Sequence, residues 1–332
     1  VPRPLVSVVL PVRNGGALLA AAVASILGQT LRALELLVVD DGSTDGAVAA
    51  LPADPRLRVL ANPGRGLVSA LNHGMQAARG AFLARMDADD ESLPTRLERQ
   101  LALLDAEPGV GICAAQVEIV TADGPPAAGN RAYQDWLNAL TRPADIRREL
   151  FIESPLPHPS VVLRRAAWER LGAYRDGPWP EDYELWLRAA AAGIGMAKPD
   201  GILLRWRDHP GRLTRTDPRC TRRRLLELKA DALARDVLRG RPVLLWGATD
   251  TGALLHDRLL AHGVAVRAFV DLDPRKVGGR KRGRPVLPVA AARAHADAFI
   301  LATVSQRSVK PAIRADLAAL GRVEGEDWLF AT

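Results

Sequence analysis

Residues 5–86 alternate apolar, β-branched runs with stretches of helical spacing, and this alternation limits the fold more than any other feature of the chain. The runs at 5–12, 34–39, 58–60 and 81–86 read as buried strands, and those at 17–27 and 67–79 as helices. Strands separated by helices predict a mainly parallel sheet with helices on its faces. Ligands of such sheets collect beyond the carboxyl ends of the strands. Three of those ends are polar here, at residues 11–14, 40–45 and 87–90.

The last of them is Asp87-Ala88-Asp89-Asp90, which follows Ala81-Phe82-Leu83-Ala84. Buried carboxylates without partners are costly, so core packing does not account for this triplet. A divalent cation does. Hard cations take one or two protein carboxylates and fill the remaining positions with phosphate oxygens and water. In an extended segment, two aspartates separated by one residue project to the same face. The triplet therefore predicts a metal and diphosphate site.

Beyond it, 94–104 reads as a helix, 109–120 as a strand pattern, and 121–145 as loop with a short helix near Trp136 and Leu140. Residues 158–165 return to strand, Glu181 and Asp182 open a helix behind Pro180, and 201–209 form a strand ending near His209. The acidic pair in a first helical turn is also favoured by the helix dipole. Likewise Asp40-Asp41-Gly42-Ser43 is also ordinary turn chemistry.

The 332 residues are 48% hydrophobic and 25% charged, which suits two folded domains or one large one. No apolar run reaches the length of a membrane span. The opening Val-Pro-Arg-Pro leads straight into a strand pattern rather than a leader. Cys113 and Cys220 can build neither a disulfide framework nor a metal cluster, so a cytoplasmic setting is expected. The net charge of +7 favours anionic partners, including nucleotide phosphates and acidic membrane surfaces. An aromatic content of 5% argues against a base-stacking platform, so no nucleic-acid partner is expected.

Six segments occur in the order found in family 2 glycosyltransferases. They are VSVVLPVRN (6–14), ELLVVDDGSTD (35–45), ARGAFLARMDADD (78–90), HPSVVLRR (158–165), PEDYELWLR (180–188) and the strand reaching His209. Residues 5–215 thus resemble that family. The resemblance implies the glycosyltransferase A fold and transfer of a sugar, with inversion, from a nucleoside diphosphate sugar to an acceptor hydroxyl. It implies Mn2+ or Mg2+ as cofactor, with Asp89 as metal ligand, Asp87 assisting the metal or contacting ribose, and His209 completing the shell. Asp90 reads as a supporting or capping residue.

Pro11, Arg13, Asn14, Asp40 and Asp41 fall on the nucleotide side, with Asp41 matching the carboxylate that hydrogen-bonds the base. Arg13 departs from the family, where an aromatic residue is common. A guanidinium can stack on a base or pair with phosphate. Asp182 matches the general base, and Glu181 beside it is placed to orient the acceptor. The donor expected is a UDP-sugar. The acceptor expected is a carbohydrate or a lipid-linked one, in surface polysaccharide or glycolipid assembly at the inner membrane face.

Three domain segments are expected: a catalytic domain over 1–215, a basic helical linker over 216–240, and a Rossmann-like accessory domain over 241–332. The linker carries Leu225, Leu228, Ala232 and Leu233 as an apolar stripe, and Arg222, Arg223 and Arg224 offer peripheral contact with an acidic membrane. In the last domain a strand at 242–246 meets a glycine turn, a helix and a second strand ending at Asp271. Gly247, Gly252 and Asp271 make a candidate second nucleotide site. Thr249 stands where the middle glycine of that fingerprint belongs. The stretch resembles the small Rossmann-like domain at the front of sugar O-acyltransferases. That leaves nucleotide binding, homo-oligomer formation and docking to a partner open. Two rival readings are a nucleotidyltransferase on a similar sheet and a nucleotide-sugar-binding protein that has lost catalysis. The first would want a glycine-rich loop with a basic finger, which Arg13-Asn14-Gly15-Gly16 matches poorly.

Overall fold

The computed structural model describes residues 3–122 and 124–332. The chain divides into two compact units. One comprises Val1–Ile146, Pro155–Gly177 and Glu181–Thr216, and the other Arg147–Ser154, Pro178–Pro180 and Asp217–Thr332.

The first unit opens with β1 (Val6–Val12), α1 (Gly16–Leu27), β2 (Leu34–Asp40), β3 (Leu57–Ala61), α2 (Leu67–Ala77) and β4 (Phe82–Arg85). β1 is buried throughout and β2 as far as Val39, as a parallel strand covered on both faces requires. The four strands run parallel in the order β3-β2-β1-β4. The residues that follow Val12, Asp40 and Arg85 therefore share one edge. The opposite edge is closed by Glu35, a buried carboxylate that accepts from Ser7 Oγ at 2.7 Å and from the Arg79 backbone N–H at 2.8 Å. Burial alone would raise its pKa, but hydrogen bonds from Arg79, Ser7 and Arg58 bring it below the usual value.

Helix α2 lies close against this sheet. A Cβ at Gly74 would stand 2.4 Å from Val9 Cγ1 and 3.0 Å from Val39 Cγ2. Gly74→Ala is therefore expected to destabilise the protein by about 1–3 kcal/mol through overpacking, despite alanine's better helix propensity. Urea unfolding checks this, and an unchanged midpoint would show that the helix can back away.

The chain continues through β5 (Glu91–Ser92), α3 (Arg96–Ala106), β6 (Val110–Cys113), β7 (Gln116–Val120), α4 (Ala128–Ala139) and α5 (Pro143–Glu149). Then come β8 (Val162–Arg164), α6 (Arg165–Leu171), α7 (Glu181–Ala191), β9 (Gly195–Ala197), β10 (Ile202–Arg207) and α8 (Leu213–Thr216). The main sheet extends as β4-β8-β6-β9, with β8 antiparallel to both neighbours. The amino end of β8 thus meets the carboxyl end of β4, and the 3-10 turn His158–Ser160 joins the polar edge.

Two expectations need correction. Residues 109–120 form two strands, because β7 belongs to a separate three-stranded sheet, β5-β10-β7. The chain breaks at buried Ala114 and Ala115, where the Ala115 N–H donates to Ser160 Oγ rather than to a strand. The stretch read as mostly loop, 121–145, carries α4 and the start of α5.

In the second unit, α9 (Arg222–Ala232) passes into the π-helical Leu233–Leu238. There follow β11 (Val243–Trp246), α10 (Asp250–Ala261), β12 (Val266–Val270), β13 (Arg280–Lys281), β14 (Arg284–Leu287), β15 (Phe299–Ala302), α11 (Lys310–Ala319) and β16 (Trp328–Phe330). The sheet order is β13-β14-β12-β11-β15-β16, parallel except for β13. Arg282 and Gly283, both at positive φ, make the tight turn of the basic hairpin. Among the described residues no helix is long and apolar enough to cross a membrane.

Candidate active site

The acidic triplet leaves β4 and at once forms β5, which pairs antiparallel with β10. That pairing determines what the triplet meets. Asp90 turns inward, is buried, and accepts the Arg207 backbone N–H at 2.8 Å, while its Oδ2 has no partner. Two residues past β10, His209 Nε2 lies 2.8 Å from Asp89 Oδ2. Ligand atoms of Asp87, Asp89 and Asp90 lie within 4.8 Å of one another. The buried Asp90 Oδ2 and two half-exposed carboxylates form a hard oxygen donor set that suits a Mg2+- or Mn2+-type ion, with the His209 imidazole against Asp89. Burial, then the charges of Asp87 and Asp89, push Asp90 well above the usual carboxylate range.

Behind the triplet lies a buried polar layer. Arg85, the last residue of β4, places Nη2 2.5 Å from Asp87 Oδ1. His158 sits beside it, with Nε2 2.9 Å from Tyr174 Oη and Nδ1 3.7 Å from Glu181 Oε1. Burial, then the charge of Arg85, hold His158 well below the usual imidazole range. Glu181 is buried at the start of α7. Asp182 accepts the Tyr183 N–H at 2.7 Å. Burial raises the Asp182 pKa, the Tyr183 N–H and Arg85 oppose that, and Asp87 adds to it. The acidic pair thus shares an electrostatic neighbourhood with Asp87.

The nucleotide-side residues are held by their own loops. Asn14, at φ 55°, donates its N–H to Ser43 Oγ at 3.0 Å and accepts the Thr44 N–H at 2.8 Å. Asp40 accepts the Ser43 N–H at 2.9 Å. Asp41 accepts from Asn62 Nδ2 at 2.7 Å and from the Gly66 N–H at 2.9 Å. Gly66, at φ 85°, is where the chain turns into α2. Pro11 is buried within β1, and Arg13 is exposed on the loop beyond it. Asn62, Gly66, Arg85, His158 and Tyr174 were not singled out from the sequence. The run Asn62-Pro63-Gly64-Arg65-Gly66 after β3 was a readable turn signal. The buried arginine and histidine had no comparable one.

Gly247, Gly252 and Asp271 lie in the other unit. A Cβ at Gly252 would stand 2.5 Å from the Gly247 carbonyl and 2.8 Å from Thr303 Oγ1, so these glycines serve close packing of the turn. Asp271 accepts the Ala248 N–H at 2.8 Å and pairs with Lys276 at 3.0 Å. In the basic helix, Arg223 and Arg224 both bind Glu227.

The family model for glycosyl transferase family 2 matches residues 7–172. The chain belongs to that family. It is 30% identical over 189 residues to the amylovoran biosynthesis glycosyltransferase AmsE of Erwinia amylovora, covering 55% of this chain and 68% of AmsE. Over the first three curated relatives it matches, the chain spans 64–68% of their length. Among solved structures, S. aureus TarS 1-349 in complex with UDP-GlcNAc superposes with a TM-score of 0.55 at 18% identity, over 77% of this chain and 72% of that one. The mannosyltransferase PcManGT from Pyrobaculum calidifontis, in complex with GDP-Man and Mn2+, gives 0.50 at 21%, over 71% and 64%. At these identities the structural likeness speaks for the fold: a mostly parallel sheet flanked by helices, with a further C-terminal region.

Proposed function

We propose that this family 2 chain is an inverting, metal-dependent glycosyltransferase. It would move a sugar from a nucleoside diphosphate donor, a UDP-sugar by preference, to an acceptor hydroxyl in carbohydrate or glycolipid assembly. The observation that carries the reading is the 2.8 Å approach of His209 to Asp89 beside Asp87, on the sheet edge that also holds Asp41, with the charge of Asp87 bearing on Asp182. The solved neighbours, one in complex with UDP-GlcNAc and one with GDP-Man and Mn2+, support the donor class and a divalent ion.

In this reading Asp89, Asp87 and His209 would hold Mn2+ or Mg2+, which would supply charge neutralisation for the departing diphosphate. Asp41 and the loops of Asn14 and Asp40 receive the nucleoside. Asp182 takes the acceptor proton as the hydroxyl attacks, and Glu181 orients that acceptor. The second unit would act as a Rossmann-like accessory domain, similar to the front domain of sugar O-acyltransferases. Its parallel order around β11 supports that assignment. Its roles in oligomer formation, nucleotide binding or membrane contact belong to the same proposal.

Release of UDP from UDP-GlcNAc, UDP-Glc or UDP-Gal, measured with and without Mn2+, tests the reading. Metal-independent silence with every donor would defeat it. A further expectation concerns the nucleoside pocket. Asp41→Ala leaves the Gly66 N–H and Asn62 without their acceptor, and UDP affinity should fall about tenfold. Calorimetry checks this, and an unchanged affinity would remove Asp41 from the pocket.

A further inference from the structure

Arg85 is a cation in an unusual place. It ends β4 with its side chain 4% exposed, where a guanidinium is tolerated only beside opposite charge. Its Nη2 lies 2.5 Å from Asp87 Oδ1, while Nε and Nη1 are buried and have no hydrogen-bond partner among the described residues. Its backbone is fixed on both sides. Its N–H donates to the Val161 carbonyl at 2.9 Å, and its carbonyl accepts from Arg96 Nη1 at 3.3 Å. The backbone that carries the head group is thus held in place. From there its charge bears on Asp87, Tyr174 and Glu181, and also on Asp182. Burial and Arg85 disfavour the charged form of His158, the other basic group of the layer.

Asp87 thus meets a buried guanidinium directly on the donor side, and Glu181 and Asp182 lie within reach of its charge on the acceptor side. We infer that Arg85 is a positioning residue of the transfer reaction. It orients Asp87 through one oxygen, leaving the other free to face the donor, and it offsets the charge that Asp87 imposes on Asp182. The inference rests on the transferase reading. It predicts that removing the charge at Arg85 damages turnover more than nucleotide binding, since Asp87 and Asp89 remain in the chain. A residue needed only for packing would lower stability and leave each folded molecule as active as before.

The test uses the full chain with Arg85→Met and Arg85→Lys. The donor is whichever of UDP-GlcNAc, UDP-Glc, UDP-Gal and GDP-Man the unsubstituted protein hydrolyses fastest with Mn2+. Rates are counted per nucleotide-binding site, titrated by calorimetry with UDP or GDP to match that donor. Arg85→Met is expected to lower kcat at least about 50-fold, with donor KM changed less than about fivefold, and Arg85→Lys to recover at least about fivefold of the loss. A kcat for Arg85→Met within about threefold of the unsubstituted protein, or a lysine variant no better than the methionine one, would overturn the inference. If Arg85→Met does not fold, Arg85→Gln is read in its place, and failure of both to fold would overturn it in favour of a packing role. Absence of donor turnover in the unsubstituted protein would instead remove the transferase reading, and this inference with it.

Discussion

Asp182→Asn should reduce sugar transfer by roughly 10²- to 10⁴-fold, the range that a positioned general base contributes. UDP binding in the presence of Mn2+ should stay close to that of the unsubstituted protein. The amide keeps the size of the side chain and can still accept the Tyr183 N–H, so helix α7 has no reason to move. What is lost is the capacity to take a proton. The pH profile carries a second signature. Burial raises the Asp182 pKa, and only part of that rise is offset by the Tyr183 N–H and Arg85. A base works when ionised, so activity should fall as pH drops through this raised value, above the ordinary aspartate value of about 3.9. A variant with near-normal turnover, or one that also lost nucleotide binding, would show that the proton goes elsewhere.

Asp89→Ala should abolish metal-dependent donor binding. It removes the carboxylate that meets His209 at 2.8 Å and leaves Asp87 already engaged by Arg85. In titrations of UDP, the gain in affinity on adding Mn2+ should shrink by about 100-fold or more, while the metal-free affinity changes little. An identical Mn2+ effect in the variant would exclude Asp89 as a ligand. It would shift attention to Asp87 and the buried Asp90.

The central strands were readable from sequence because parallel strands covered on both faces must be apolar along their length, as β1 and β2 are. The acidic strand ends were readable for the opposite reason: nothing in a core asks for Asp87 or Asp89. Local pattern could not reveal partners distant in sequence. The switch from the main sheet to the second sheet at Ala114 and Ala115 occurs inside an unbroken apolar run, and depends on Ser160 capturing the Ala115 N–H. Helix α4 was largely missed because Gly124, Pro125, Pro126 and Gly129 crowd its start and read as loop, while Leu137 is its fully buried residue. The layer of Arg85, His158 and Tyr174 was invisible for a related reason. Charged or aromatic letters next to apolar ones look like strand ends until the antiparallel entry of β8 brings His158 to the end of β4.

The meeting of Asp89 and His209 also bears on how the site is assembled. These residues are 120 positions apart, one just after a strand of the main sheet and the other just beyond a strand of the smaller one. The β5–β10 pairing, with Asp90 accepting the Arg207 N–H, already holds the two ends together. The chain entropy cost of joining such distant points is thus met by folding, and a cation would find these ligands gathered in advance.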